Sequence, residues 1–212
     1  MIMTRRGFEM TEQQKRKENL LWRGVSPIIG EVFFNIRSMA QYIEQRVGLF
    51  VDVSNLYYSA KVMYSKKVNF KNVLKEALGD RKLVRAIAYV IKAENPEEQK
   101  FFDALEGMGF EVKSKELQIF YGGHKKGDWD VGIAMDTIRL APKLDVVVLA
   151  SGDGDYVPLV EYLKSIGQQT EVVAFGRSAS GKLREVADAF IDLDKNVRKF
   201  LIPDRNKNNA EV

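Results

Sequence analysis

From Val47 onward the chain alternates between short apolar runs and longer stretches in which apolar residues recur every three or four positions. VGLFVDV (47–53) is the first run, followed by Leu83–Ile91, Phe110–Lys113, Leu144–Ala150, Glu171–Phe175 and Ala189–Leu193. Runs this short and continuous predict strands buried on both faces of a parallel sheet. Helical spacing over Phe70–Leu78, Pro96–Met108, Trp129–Leu140, Val157–Ile166 and Lys182–Ala187 predicts helices between them. Strand alternating with helix predicts a three-layer α/β/α domain with a mostly parallel central sheet and right-handed crossovers. Gly79, Gly109 and Gly167 stand where helices should end, as residues that tolerate left-handed backbone do.

Residues 1–46 follow a different pattern and are read as a helical extension. Met10 to Arg23 is polar and charged, as in an exposed helix, and Ser26-Pro27 reads as a helix start. From Ile28 to Ile43 an apolar stripe (Ile29, Val32, Phe33, Ile36, Met39, Ala40, Ile43) has helical spacing and must pack either on the main domain or on another chain. In the second case the N-terminal helices would join a homo-oligomer or a protein partner. The main domain spans 47–202, and the polar stretch 203–212 reads as a tail.

Composition narrows the chemistry. The 212 residues include no cysteine, which excludes disulfides, thiolate metal sites and cysteine nucleophiles. A single histidine, His124, leaves carboxylates and water to hold any metal, and that favours Mg²⁺ or Mn²⁺ over zinc. The formal charge of +4 suits a polyanionic partner. No run has the length of a membrane span, and the start MIMTRRGFEM lacks a secretory signal, so a cytoplasmic protein without membrane contact is expected.

In open parallel sheets, ligands bind beyond the carboxyl ends of the strands. That edge should carry Asp52, with Asn55 in the following loop, and Ser151-Gly152-Asp153-Gly154-Asp155 after the Leu144–Ala150 strand. Asp128 and Asp130 stand at the start of the preceding helix. Each acid has a plainer reading: Asp128 and Asp155 could serve as helix caps, and Asp136 points about 120° away from Asp130 on an ideal helix. Asp52 is harder to explain away, because a carboxylate inside an apolar strand must be paired or bound to repay its desolvation. Three segments distant in sequence thus bring acid to one edge, where like charges resist ionisation unless a cation holds them. A divalent ion there can activate water and stabilise phosphoryl charge, which points to phosphodiester hydrolysis.

The ordered set FVDVSN, KKGDWDVGIAMD, VVVLASGDGDYVPLV, GQQTEVVAFG and LREVADAFIDL resembles the LabA-like branch of the NYN domains, PIN-like folds related to 5′-nuclease domains. The resemblance covers about Val47 to Leu193. It implies a metal site of Asp52, Asp130, Asp153 and Asp155, with Asp136 as a further acidic position. Asn55 matches the polar residue after the first aspartate, and Ser151 matches the serine of an SGD motif. It also implies Mg²⁺ or Mn²⁺ and an RNA substrate. The family pattern does not account for residues 1–46.

Three other features bear on the site. Gly176–Leu183 (GRSASGKL) nearly spells a phosphate-binding P-loop but has Leu183 where a hydroxyl should hold Mg²⁺. A loop whose amides, with Arg177 and Lys182, touch an RNA phosphate is a stronger reading than a true P-loop, and a plain surface loop is an equal one. Lys125, Lys126 and His124 could bind RNA backbone or form a solvated basic loop. Tyr57, Tyr58 and Tyr156 could stack on bases, with Tyr57 or Tyr58 read as core. A haloacid-dehalogenase phosphatase is disfavoured because Ser54 stands where its second acid would be. The expected function is ribonuclease action by Asp52, Asp130, Asp153 and Asp155, with Asn55 as orienter and Ser151, Lys126, Arg177 and Lys182 on substrate. An RNA-binding or regulatory protein with little turnover is the alternative, and a phosphomonoesterase is a third.

Overall fold

The structure is a computed structural model and describes residues 43–92, 96–116, 118–119 and 125–203. The expected helices before Ile43, the site candidate His124, the side chain of Lys126 and the tail after Pro203 lie outside the described residues.

The strands of the main sheet are β1 (Arg46–Asp52), β2 (Lys82–Lys92), β3 (Glu111–Glu116), β6 (Val146–Ala150), β7 (Gln169–Ala174) and β8 (Ala189–Asp192). They run side by side in the order β3-β2-β1-β6-β7-β8, and every pairing is parallel. A separate antiparallel ribbon pairs β4 (Gln118–Ile119) with β5 (Lys125–Lys126).

Side chains of successive strand residues leave opposite faces of the sheet, so the apolar runs feed two cores at once. Leu49, Val51, Ala88, Val90, Val148 and Phe175 belong to one core. That face is covered by α1 (Val53–Tyr64), α2 (Phe70–Leu78), α3 (Pro96–Gly107) and α7 (Val197–Phe200), through Leu56, Val73, Leu105 and Phe200. Phe50, Ile87, Tyr89, Val147, Leu149 and Val172 face the other core. There α4 (Asp130–Leu140), α5 (Val157–Ser165) and α6 (Gly181–Val186) contribute Ile133, Val160, Leu163 and Leu183. The result is the three-layer α/β/α architecture that the alternation predicts.

The sheet order sets the place of the site. Chain order reverses direction between β1 and β6, and the loops leaving these two strands diverge to opposite faces, opening a crevice beyond their carboxyl ends. At the other end the two strands are clamped by Arg46, whose guanidinium donates to both Asp145 oxygens at 3.1 and 2.8 Å.

Candidate active site

Asp52 is the last residue of β1 and the N-cap of α1. Its Oδ1 accepts from the Asn55 backbone amide at 3.0 Å, and its Oδ2 lies 3.5 Å from the Ser151 hydroxyl, a long contact. Asn55 turns its own side-chain oxygen across the crevice, where it accepts from the Gly152 amide at 2.9 Å. The loop after β6 is thereby tied to the start of α1. Asp153 caps the short turn that follows, accepting from the Asp155 amide at 3.0 Å. Asp155 itself is exposed, and α5 begins without a side-chain cap, so Asp155 is not the cap suggested by its position.

Asp130 opens α4, whose partial positive end favours a carboxylate in the first turn. Its Oδ1 accepts from the Tyr156 hydroxyl at 3.0 Å. Tyr156 is 1% exposed and belongs to the core through its ring. Its hydroxyl is the polar handle through which the loop after β6 holds an acid on α4.

The charges of these groups act on one another. Burial, with lesser contributions from Asp130 and Asp153, pushes the Asp52 carboxyl up to about 6, against the bonds from Asn55 and Ser151. Burial also raises Asp130, helped by Asp128, Asp153 and Asp155 and opposed by the Tyr156 bond. Burial, with the charges of Asp52 and Asp130, raises the Tyr156 hydroxyl far above its ordinary value, so it remains a donor. This is the signature of acids crowded at one edge in partial isolation from water. The donors are all oxygen, the set preferred by Mg²⁺ and Mn²⁺. Among the described residues, however, no three acids or histidines are gathered closely enough to enclose an ion as they stand. The donor chemistry and mutual repulsion fit a hard cation, and its binding requires the carboxylates to draw together.

Several expected site residues take other places. Asp136 accepts from Lys113 at 2.6 Å and from the Tyr89 hydroxyl at 2.9 Å. Burial pushes its carboxyl up, but those bonds outweigh burial and hold it below the usual range. It braces α4 against β2 and β3 through these two bonds. Ser151, expected on substrate, is 0% exposed, and its hydroxyl instead accepts from the Asp153 amide at 3.2 Å. It sits behind the carboxylates and positions them.

Arg177 packs over the Tyr64 ring, with its guanidinium on the Tyr64 hydroxyl and 3.6 Å from Asp194. The first five amides of the loop from Gly176 are not free to cradle a phosphate. The Gly176 and Arg177 amides donate to Asp192 and Asp194, those of Ser178 and Ala179 to the Phe175 carbonyl, and that of Ser180 to the Gly152 carbonyl. These five amides serve the fold, and Ala179 lies so near Gly152 that a Cβ there would stand 3.0 Å from the Ala179 backbone. Lys182 is exposed at the start of α6. Of Tyr57 and Tyr58, one of which is expected in the core, Tyr58 is 61% exposed and Tyr57 is half-buried edge-on to it.

A comparison with known families decides the identity: the NYN domain profile matches residues 46–194, most of the chain. The chain belongs to the NYN-domain family. This NYN protein is 27% identical over 164 residues to the low amplitude and bright protein LabA of Synechococcus elongatus, covering 74% of this chain and 87% of the relative. A crystal structure of a protein of unknown function from Vibrio parahaemolyticus superposes with a TM-score of 0.69 at 35% identity, over 76% of this chain and 98% of the other. The NYN match spans Asp52 through the loop after β6 to β8, so it takes in the whole acidic edge. Among the described residues, no helix is long and apolar enough to cross a membrane.

Proposed function

We propose that this NYN domain is a divalent-metal-dependent ribonuclease that hydrolyses RNA phosphodiesters in the crevice between β1 and β6. What carries the reading is the convergence of Asp52, Asp130 and Asp153 from three separate segments, with Asp52 raised to about 6 by burial and by the other two charges. Membership in a nuclease-like family supports it independently.

Asp52 and Asp153 would hold the ion, with Asp130 from the facing helix. When bound, Mg²⁺ or Mn²⁺ supplies an activated water and neutralises charge on the phosphoryl oxygens. Asp155, exposed at the lip, orients or accepts a proton from the attacking water. Asn55 acts through other residues: its amide fixes Asp52 and its side chain fixes the Gly152 turn, so the two acidic segments keep their spacing. Tyr156 fixes Asp130 in the same way, and Ser151 steadies Asp153 from behind.

A second reading, an RNA-binding or regulatory protein with little turnover, draws on the open arrangement of the acids, no three of which close into a metal cluster among the described residues. Cleavage of a labelled single-stranded RNA with Mn²⁺, Mg²⁺ or EDTA separates the two. Under the nuclease reading, cleavage requires metal and falls at least about 10³-fold in Asp153→Asn. Binding without cleavage in any metal moves the function to the regulatory reading.

A further inference from the structure

The acidic edge repels the polyanion it is proposed to cut, so a nuclease of this kind needs cationic surface nearby to hold the strand. The fold places such a surface at the far end of α1. The Asn69 amide donates to the Phe200 carbonyl and the Ile202 amide to the Lys67 carbonyl, both at 2.8 Å, and Asn72 Nδ2 reaches the Lys199 carbonyl at 2.6 Å. An isolated bridge between Val68 and Leu201 completes the join. These bonds bring two segments, residues 65–76 and 193–202, into one surface although more than a hundred residues separate them.

That surface carries Lys66, Lys67, Lys71, Lys195 and Arg198, four of them exposed and Lys66 partly so. The acids of the two segments are already spent. Glu76 pairs with Lys199, and Asp194 is engaged by Tyr64 and Arg177. None of the five cations joins an ion pair among the described residues. Unspent charge of one sign, assembled by tertiary contacts at the end of the helix that Asp52 caps, is what a phosphate backbone requires. The twelve residues of α1 set the separation from Asp52 at about 18 Å, a span of several nucleotides.

We infer that the α2–α7 junction, through Lys66, Lys67, Lys71, Lys195 and Arg198, is a backbone-binding track for single-stranded RNA that extends the substrate site beyond the acidic edge. The substrate rests on the ribonuclease reading, but the track is tested by binding alone. Full-length protein and the triple variant Lys67→Glu/Lys71→Glu/Arg198→Glu are titrated with labelled single-stranded RNA of about 20 and about 4 nucleotides, between about 50 and 200 mM salt.

The track predicts at least about 30-fold weaker binding of the longer strand and a salt slope shallower by about two, at ~0.7 per phosphate contact. The short strand, which cannot bridge the junction and the acidic edge, loses less affinity than the longer one. A triple Gln variant, which removes charge without reversing it, gives the same pattern at smaller size, and unchanged thermal melting excludes misfolding. Equal affinity and slope for the longer strand in wild type and variant overturn the track. Patch-dependent binding with no cleavage in Mn²⁺ keeps the track and removes the nuclease. Metal-dependent cleavage with patch-independent binding does the reverse.

Discussion

Tyr156 illustrates how a residue's role is decided by what lies within reach of its tip. Its ring packs with Leu149 and Val160 in one core, and its hydroxyl ends 3.0 Å from Asp130. Read along the chain, it is an aromatic beside an acidic motif, equally suited to base stacking or to core. The burial that makes it core also makes its hydroxyl dependable, since a buried O–H must find an acceptor. Tyr156→Phe keeps the ring and removes only that donor. Cleavage in Mn²⁺, or Mn²⁺ affinity measured by calorimetry, should fall about 10- to 100-fold with the melting temperature nearly unchanged. A variant as active as wild type, with equal metal affinity, would remove Tyr156 from the site.

At the scale of elements, the apolar runs located every strand of the main sheet to within about two residues, apart from the longer tail of β3. Helix α1 was not legible in the same way. VSNLYYSAKVMY is rich in β-branched and aromatic residues, its buried stripe is only Val53, Leu56 and Ala60, and it follows a strand with no glycine or proline between. Its helical start comes from Asp52, whose carboxylate caps it, so one residue ends a strand, begins a helix and faces the crevice. The other end of β1 carries a testable clamp. The Arg46 side chain and amide hold the Asp145 carboxyl down at about 2, below its ordinary 3.8. A depressed carboxylate stabilises the fold above its unfolded pKa, and that contribution disappears as pH falls through the folded value. Wild type should therefore exceed Asp145→Asn in stability by a few tenths to about 1 kcal/mol near neutral pH, since the pair is exposed. The gap should narrow as the pH falls from about 4 toward 2 in paired denaturation curves. A gap that persists or widens on acidification contradicts the assignment.

For the whole molecule, the sheet is finished by the segment that follows β8. Phe200 is buried in the core beside α1 and α2, and Leu201 bridges to Val68, so the chain after β8 returns to cover the face that α1 and α2 began. A helix of four residues has no stability of its own and depends on this packing. Phe200→Ala should cost about 3–5 kcal/mol in chemical denaturation. A loss below about 1 kcal/mol would mean that the chain end is not part of the cooperative core.

The sequence by itself determined the alternation of strand and helix, the three-layer sheet and the edge on which Asp52, Asp130 and Asp153 would stand, because apolar period and strand polarity are local properties. It also marked Gly79, Gly109 and Gly167 as helix ends, and all have positive φ. Tertiary structure decided which polar groups meet. Asp136 and Asp130 lie on one helix, yet Lys113 and Tyr89 claim the first and Tyr156 holds the second, and no spacing along α4 foretells partners on other strands. The near P-loop had suitable residues, but the folded chain gave the amides of residues 176–180 to Asp192, Asp194, Phe175 and Gly152. The cations at the α2–α7 junction are scattered in sequence and become one surface only when the chain end closes on α2. Local pattern fixes what each segment is. Which charges are cancelled and which remain depends on distances between segments, and only the packed fold sets those.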